Sequence, residues 1–203
     1  MDADAVLRAW HGRSGEYSPR YYAHYGPNAT SEAIRERLEA LLEPEAAVLE
    51  LGCSSGRHLA HLQAHGFEDL SGIDINDEAF EVMAETYPDL AAAGTFHHGA
   101  IEDVVGRFGD GRFDAVYSVE TLQHVHPDNA AVFGEIARIT GDVLLTVEIE
   151  DGGLEGSDVT YVDDDVPLYH RDWNRVFTDR GFVEVESEPL DRDTLRLFRR
   201  EGR

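Results

Sequence analysis

Apolar positions along this chain fall into two rhythms that alternate from residue 31 to the C-terminus. Short apolar runs bounded by turn residues read as buried strands, and apolar residues spaced three and four apart read as amphipathic helices. Helical spacing first appears over Ser31 to Leu42, where Ile34, Leu38, Leu41 and Leu42 share a face, Ser31 is the expected N-cap and Pro44 the stop. The pattern next predicts a strand over Ala46 to Leu51, a helix from Arg57 to His65 closed by Gly66, and a strand over Leu70 to Ile75. A helix over Asp77 to Tyr87, broken by Pro88, leads to a short strand at Thr95 to His98 and a helix at Ile101 to Phe108. Phe113 to Val119 is the fourth strand, Pro127 to Ile139 a helix opened by proline, and Val143 to Ile149 the fifth strand. A long loop from Asp151 to Tyr169 precedes a helix over Asp172 to Arg180 that ends at Gly181. Phe182 to Glu188 and Thr194 to Arg199, joined by a short turn, read as a β-hairpin.

Strands alternating with helices at this spacing predict parallel βαβ units with right-handed crossovers, hence an α/β fold with a Rossmann-like, doubly wound sheet in three α/β/α layers. Ligands of such sheets lie over the C-terminal strand ends, where the strand order reverses. Residues 1–30 stand outside the pattern as an N-terminal cap or lid, and 31–203 form one domain, a size that supports a substantial core.

Charge narrows the function. The 41 acids against 17 bases give a net charge of -24, and every base is Arg. Without Lys there is no Schiff-base chemistry and no phosphate-loop lysine. The acidity disfavours nucleic-acid partners, because phosphate binding needs cationic side chains. Codon bias with a solvated acidic surface is one account of the composition. We favour adaptation to a high-salt cytoplasm of the haloarchaeal kind, where a Debye length of roughly 3 Å at 1 M salt makes dense like charge tolerable. Cys53 is the one cysteine, so an intrachain disulfide or thiol-built zinc cluster is excluded. The acidic first residues do not resemble a signal peptide, and no apolar run reaches the ~18 residues of a membrane span. The expectation is a cytoplasmic protein without membrane insertion.

Chemistry concentrates in Val48 to Leu59 and Gly72 to Asn76. The first stretch reads as strand, glycine-bearing turn and helix, whose N-terminal amides point at a ligand, and Asp74 ends the next strand, where it can accept both ribose hydroxyls. The loop runs Gly52-Cys53-Ser54-Ser55-Gly56, so the dinucleotide fingerprint G-x-G-x-x-G is missing. These residues resemble motif I of the class I S-adenosylmethionine-dependent methyltransferases, with Glu50 as its leading acid and Ser54 where a glycine is usual. Asp74 matches the acid of motif II. Phe96 to Asp103 is similar to the family's G-D-A-E-D stretch, with Ala100 in the usual Asp position, and Phe113 to Glu120 to the motif IV strand.

The resemblance implies a seven-stranded sheet whose last strand inserts antiparallel, and S-adenosylmethionine as cofactor with S-adenosylhomocysteine as product. It implies a cofactor site of Glu50, Gly52, Cys53, Ser54, Gly56, Asp74, Ile75, Ile101, Glu102 and Ser118, with Glu102 or a carbonyl near Ile101 reading adenine. Ser118 maps beside the methionine part.

Methyl transfer needs an acceptor held in line and, where that acceptor carries a proton, a base. His124 is the first candidate and Glu120 the second, although either can serve packing alone. His124-x-His126 with Asp128 lacks a third spaced ligand, so no metal site is expected. The family's Asn/Asp-Pro-Pro-aromatic sequence for nitrogen acceptors is missing, which leaves a small-molecule or sugar- or lipid-linked acceptor, with oxygen slightly favoured. Tyr22, Tyr25 and His170 are candidate acceptor contacts; the tyrosine-rich segment Tyr17 to Asn28 is either a lid or a docking helix. The rival readings are an NAD(P)- or nucleotide-sugar-binding oxidoreductase and a non-catalytic cofactor-binding module.

Overall fold

The strands gather into a seven-stranded sheet in the order β3-β2-β1-β4-β5-β9-β8, described by a computed structural model for residues 1–150, 159–162 and 166–202. Its strands are β1 (Ala47–Leu51), β2 (Asp69–Asp74), β3 (Thr95–His98), β4 (Phe113–Val119), β5 (Thr140–Glu148), β8 (Phe182–Pro189) and β9 (Thr194–Arg200). Pairings through β5 are parallel, with Val48 opposite Leu70 on one side and Ala115 on the other. β9 runs antiparallel between β5 and β8. The order reverses between β1 and β4, and a crevice opens there.

Strand alternation divides the core in two. Leu49, Leu51, Val116 and Leu144 face one apolar cluster, completed by Phe133, Ile136, Trp173 and Phe177. These last four come from helices α8 (Val132–Ile139) and α9 (Trp173–Thr178). Val48, Ala115, Tyr117 and Leu145 face the other, closed by α3 (Ala29–Leu41), α4 (Arg57–Ala64), α5 (Ala79–Thr86) and α6 (Pro88–Ala93). The result is three layers.

Several local expectations change. The N-cap of α3 is Asn28, not Ser31: Asn28 Oδ1 accepts from the Ser31 N–H at 3.1 Å while Ser31 Oγ accepts from the Asn28 N–H at 3.0 Å. This reciprocal pair satisfies two donors at once and so extends the helix by one turn. Pro88 opens α6 rather than merely ending α5, since a proline at the first helical position loses no hydrogen bond. The helix expected over Ile101 to Phe108 is one α turn, α7 (Ile101–Val104), passing into a 3-10 turn at Val105–Arg107. The one expected from Pro127 likewise begins as a 3-10 turn before α8.

Two features went unpredicted, strands within the long loop and a helix over Ala3–His11, whereas a helix was one of the two readings of the tyrosine-rich segment. Within the expected loop from Asp151 to Tyr169, β6 (Val159–Val162) and β7 (Val166–Tyr169) pair antiparallel as a small separate sheet; the run Asp163-Asp-Asp165 lies outside the described residues. The N-terminal segment holds α1 (Ala3–His11), capped by Asp2, and α2 (Pro19–Tyr25), capped by Ser18. Among the described residues no helix is long and apolar enough to cross a membrane.

Candidate active site

A cleft opens over the C-terminal ends of β1, β2 and β4, roofed by α1 and the start of α2. Its floor is the β1–α4 corner. Gly52 takes φ +70°, and a Cβ there would lie 2.3 Å from Thr121 Oγ1, so the turn excludes any side chain both by conformation and by contact. Ser54 follows at φ +49°, an uncommon left-handed conformation for a residue with a side chain. It is held there because its N–H donates to Asp74 Oδ2 at 2.7 Å. Asp74 Oδ1 accepts the Asn76 N–H at 2.8 Å. Burial raises the Asp74 pKa and these amide donors oppose the rise. Each carboxylate oxygen keeps a lone pair for a further donor.

Glu50, Cys53, Ile75, Ile101 and Glu102 also line the cleft. Glu50 is buried, accepts the Tyr117 hydroxyl at 3.0 Å, and has its pKa driven well up by that burial. Burial likewise pushes the Cys53 thiol up, which leaves it a neutral packing group. Gly56, in left-handed conformation at the N-cap of α4, packs against Leu90 and Met83 and does not reach the cleft. Ser118 does not reach it either: its hydroxyl turns to the other side and donates to Glu148 at 2.6 Å, because β4 side chains alternate faces.

The wall beyond β4 depends on that Glu148. Fully buried at the end of β5, its carboxylate accepts the N–H groups of Thr121 (3.2 Å), Leu122 (3.0 Å) and Gln123 (3.1 Å). Burial lifts its pKa to about 7 despite the Ser118 hydroxyl and those three amides. Arg171 grips the same turn from its other end, donating to the carbonyls of Leu122 and Val125. The turn so fixed carries His124 into the cleft, where its ring lies 4.4 Å from that of Trp10. His124 Nδ1 sits 3.3 Å from the Pro167 carbonyl, an acceptor only, so Nδ1 carries the proton. Burial lowers the His124 pKa to about 4 and keeps the ring neutral at pH 7. Glu120 precedes the turn at φ +48°, its carboxylate 3.3 Å from Arg192 of the β8–β9 turn. The neighbouring Asp193 is pushed up to about 7, first by burial and then by Glu120.

The roof supplies Val6, Leu7, Trp10, Tyr17 and Tyr22. The Tyr22 ring lies 4.6 Å from the Arg57 guanidinium. Tyr25 points outward, 63% exposed, and His170 bonds Thr160 at 2.8 Å to hold the small sheet, so neither lines the cleft. Sequence reasoning missed Arg57, which lines the cleft and whose signal is a cation on the first helical residue after the glycine turn.

Residues 48–142 match the family model described as a methyltransferase domain. That match covers just under half of the chain. An O-methyltransferase of Penicillium expansum is 27% identical over 125 residues, 59% of this chain and 45% of the relative. A 2-methyl-6-phytyl-1,4-hydroquinone methyltransferase of Synechocystis is 28% identical over 174 residues, 73% of this chain and 52% of the relative. The chain spans about half the length of these curated relatives. Among solved structures, the 1,6-didemethyltoxoflavin-N1-methyltransferase of Burkholderia thailandensis, with its acceptor and S-adenosylhomocysteine bound, superposes with a TM-score of 0.73 at 18% identity, over 98% of this chain and 89% of that one. The magnesium protoporphyrin IX methyltransferase of Synechocystis gives 0.66 at 17%, over 98% and 91%. The chain thus has the fold of these structures, with the sheet order and inserted antiparallel strand that the resemblance implied.

Proposed function

We propose that the protein is an S-adenosylmethionine-dependent methyltransferase acting on a small-molecule acceptor, sugar- or lipid-linked precursors included, with transfer to oxygen favoured. One observation carries this reading: Asp74, oriented by the Ser54 and Asn76 amides, faces the cleft at the strand-order reversal with acceptor capacity to spare. Ser54 Oγ, buried in the same corner without a partner, is a second polar atom suited to a ligand. S-adenosylmethionine, when bound, supplies an electrophilic methyl group on a sulfonium. Asp74 would take the ribose hydroxyls, Ile101 and Glu102 the adenine edge, and Arg57 the ligand's carboxylate. The Gly52 to Ser54 backbone lies against the remainder, with Glu50 behind it.

Held neutral and aimed across the cleft, His124 takes a proton from the acceptor, and Trp10 excludes water above it. A base this weak matches an acidic hydroxyl such as a phenol better than an aliphatic alcohol. Glu120, tied to Arg192, shapes the acceptor side, as Tyr22 does from the roof. Residues 1–30 act as the lid over a domain formed by 31–203, in a cytoplasmic protein adapted to high salt. The missing nicotinamide fingerprint and the methyltransferase-domain match disfavour the oxidoreductase reading.

Calorimetry in molar KCl tests the proposal: S-adenosylhomocysteine should bind and NAD should not. The opposite preference, or no uptake of either by folded protein, would end it. The salt adaptation predicts a melting temperature that rises from dilute buffer to molar KCl as self-repulsion is screened; equal melting in both refutes it.

A further inference from the structure

Just outside the cleft, three side chains from separate elements converge. His11 ends α1, Asp77 follows β2, and His98 ends β3. Their ligand atoms all lie within 4.8 Å of one another, and all three residues are exposed. Asp77 Oδ1 is 3.2 Å from His11 Nε2 and 3.4 Å from His98 Nε2. With metal–ligand bonds of about 2.05 Å, the two Asp77 separations subtend about 103° and about 112° at a shared ion, as two edges of a tetrahedral site would. The Ile75 carbonyl, 3.1 Å from His98 Nε2, is a further oxygen within reach.

Two imidazoles and one carboxylate select first-row transition ions over Mg²⁺ or Ca²⁺, which prefer all-oxygen shells. Exposure lets the ion arrive from solvent and water complete its shell, and a net charge of -24 concentrates cations at the surface. The site joins the roof to the floor. His11 neighbours Trp10, whose ring lies 4.4 Å from that of His124, and Asp77 lies three residues beyond Asp74. A second cluster, Glu32, His61 and His65, also gathers three ligand groups, but it joins α3 to α4 and none of its residues borders the cleft.

We propose that His11, Asp77 and His98 bind a divalent transition-metal ion of the zinc type that latches α1 to the ends of β2 and β3. The ion replaces the hydrogen bonds of the bare cluster with stronger bonds, so the N-terminal cap is held down more firmly when it is present. Sequence gave no hint, because the three ligands are spread over 88 positions and none forms a spaced pair with another.

Zn²⁺ titrated into chelator-stripped protein in molar KCl tests the site without any methyl donor, so its outcome is separate from that of the proposed function. One equivalent should bind, with a dissociation constant on the order of micromolar. His98→Ala and Asp77→Asn should each weaken it about tenfold or more, while His61→Ala leaves it intact. Both variants change exposed side chains, and unchanged circular dichroism would verify their folds. Trypsin cleavage at Arg8 and Arg13 reads the latch: Zn²⁺ should slow it in the parent protein and not in His98→Ala. Equal Zn²⁺ binding by parent and His98→Ala, or a loss seen instead in His61→Ala, overturns the site. Binding without protection from trypsin overturns the latch.

Discussion

The Gly52–Asp74 corner and the Glu120–Val125 turn face each other across one cleft, yet they are built by different means. The corner is made of backbone: left-handed residues at 52 and 54 aim main-chain amides, and a single carboxylate, 20 positions away, fastens them. The turn is made by distant side chains. Glu148 and Arg171 seize its amides and carbonyls from β5 and from the segment before α9. A site assembled from backbone conformation restricts which residue types fit in sequence order; a site assembled from remote side chains leaves no local trace.

Substitutions that remove one fastening at a time break this pairing most sharply. Asp74→Ala deletes a carboxyl acceptor and frees two amides in the corner. With charged hydrogen bonds worth about 1.5–3 kcal/mol each, affinity for S-adenosylhomocysteine should fall by about 100-fold or more by calorimetry. The fold should survive, and parent-like affinity would remove the corner from the cofactor site. Glu148→Ala is the mirror experiment. It leaves three buried amides without an acceptor, so we expect a loss of about 3 kcal/mol in chemical denaturation and a strong fall in kcat, with S-adenosylhomocysteine affinity retained in what remains folded. Equal loss of affinity and turnover would show that the two halves are not separable.

Gly52→Ala probes where the halves touch. The new methyl group meets Thr121 and sits on an unfavourable φ, which should cost about 2–3 kcal/mol. Adding Thr121→Gly should recover the contact part and leave about 1 kcal/mol of backbone strain, measured as a double-mutant cycle.

The last effect is a titration, spread over a range of pH. His124 has a folded pKa of about 4, lowered by burial from an ordinary value near 6.5. Below pH 6.5 the unfolded chain takes up a proton that the folded ring refuses, so this group's stabilisation, present above 6.5, is lost as pH falls towards 4. The full swing is on the order of 3 kcal/mol. His124→Gln should lose less stability than the parent between pH 6.5 and 4.5. Comparing the two proteins cancels the opposite slopes of Glu148 and Asp193, whose pKa values are raised. Parallel pH curves would mean that the ring is not held neutral.

The same contrast accounts for what was legible. The strand order, the Gly52 turn and Asp74 could be read because apolar periodicity and glycine placement are local properties. Ser118 was misplaced because motif position gives the strand end but not the face, and β4 turns that hydroxyl to Glu148. Tyr25 was misplaced for a related reason, since α2 carries several tyrosines and only packing decides which point inward. The β6–β7 pair escaped notice because four-residue strands carry too few positions for a period, and α1 because Val6 alone of its residues is buried.

Asn76 gives the N-terminal cap an unexpected dependence. Two residues after Asp74, its side-chain amide donates at 3.0 Å to the carbonyls of both Trp10 and Arg13, and the adjoining Asp77 N–H donates to the His11 carbonyl. The roof is therefore sewn to the floor at one seam, and anyone transplanting the first thirty residues between homologues would have to carry position 76 along with the graft.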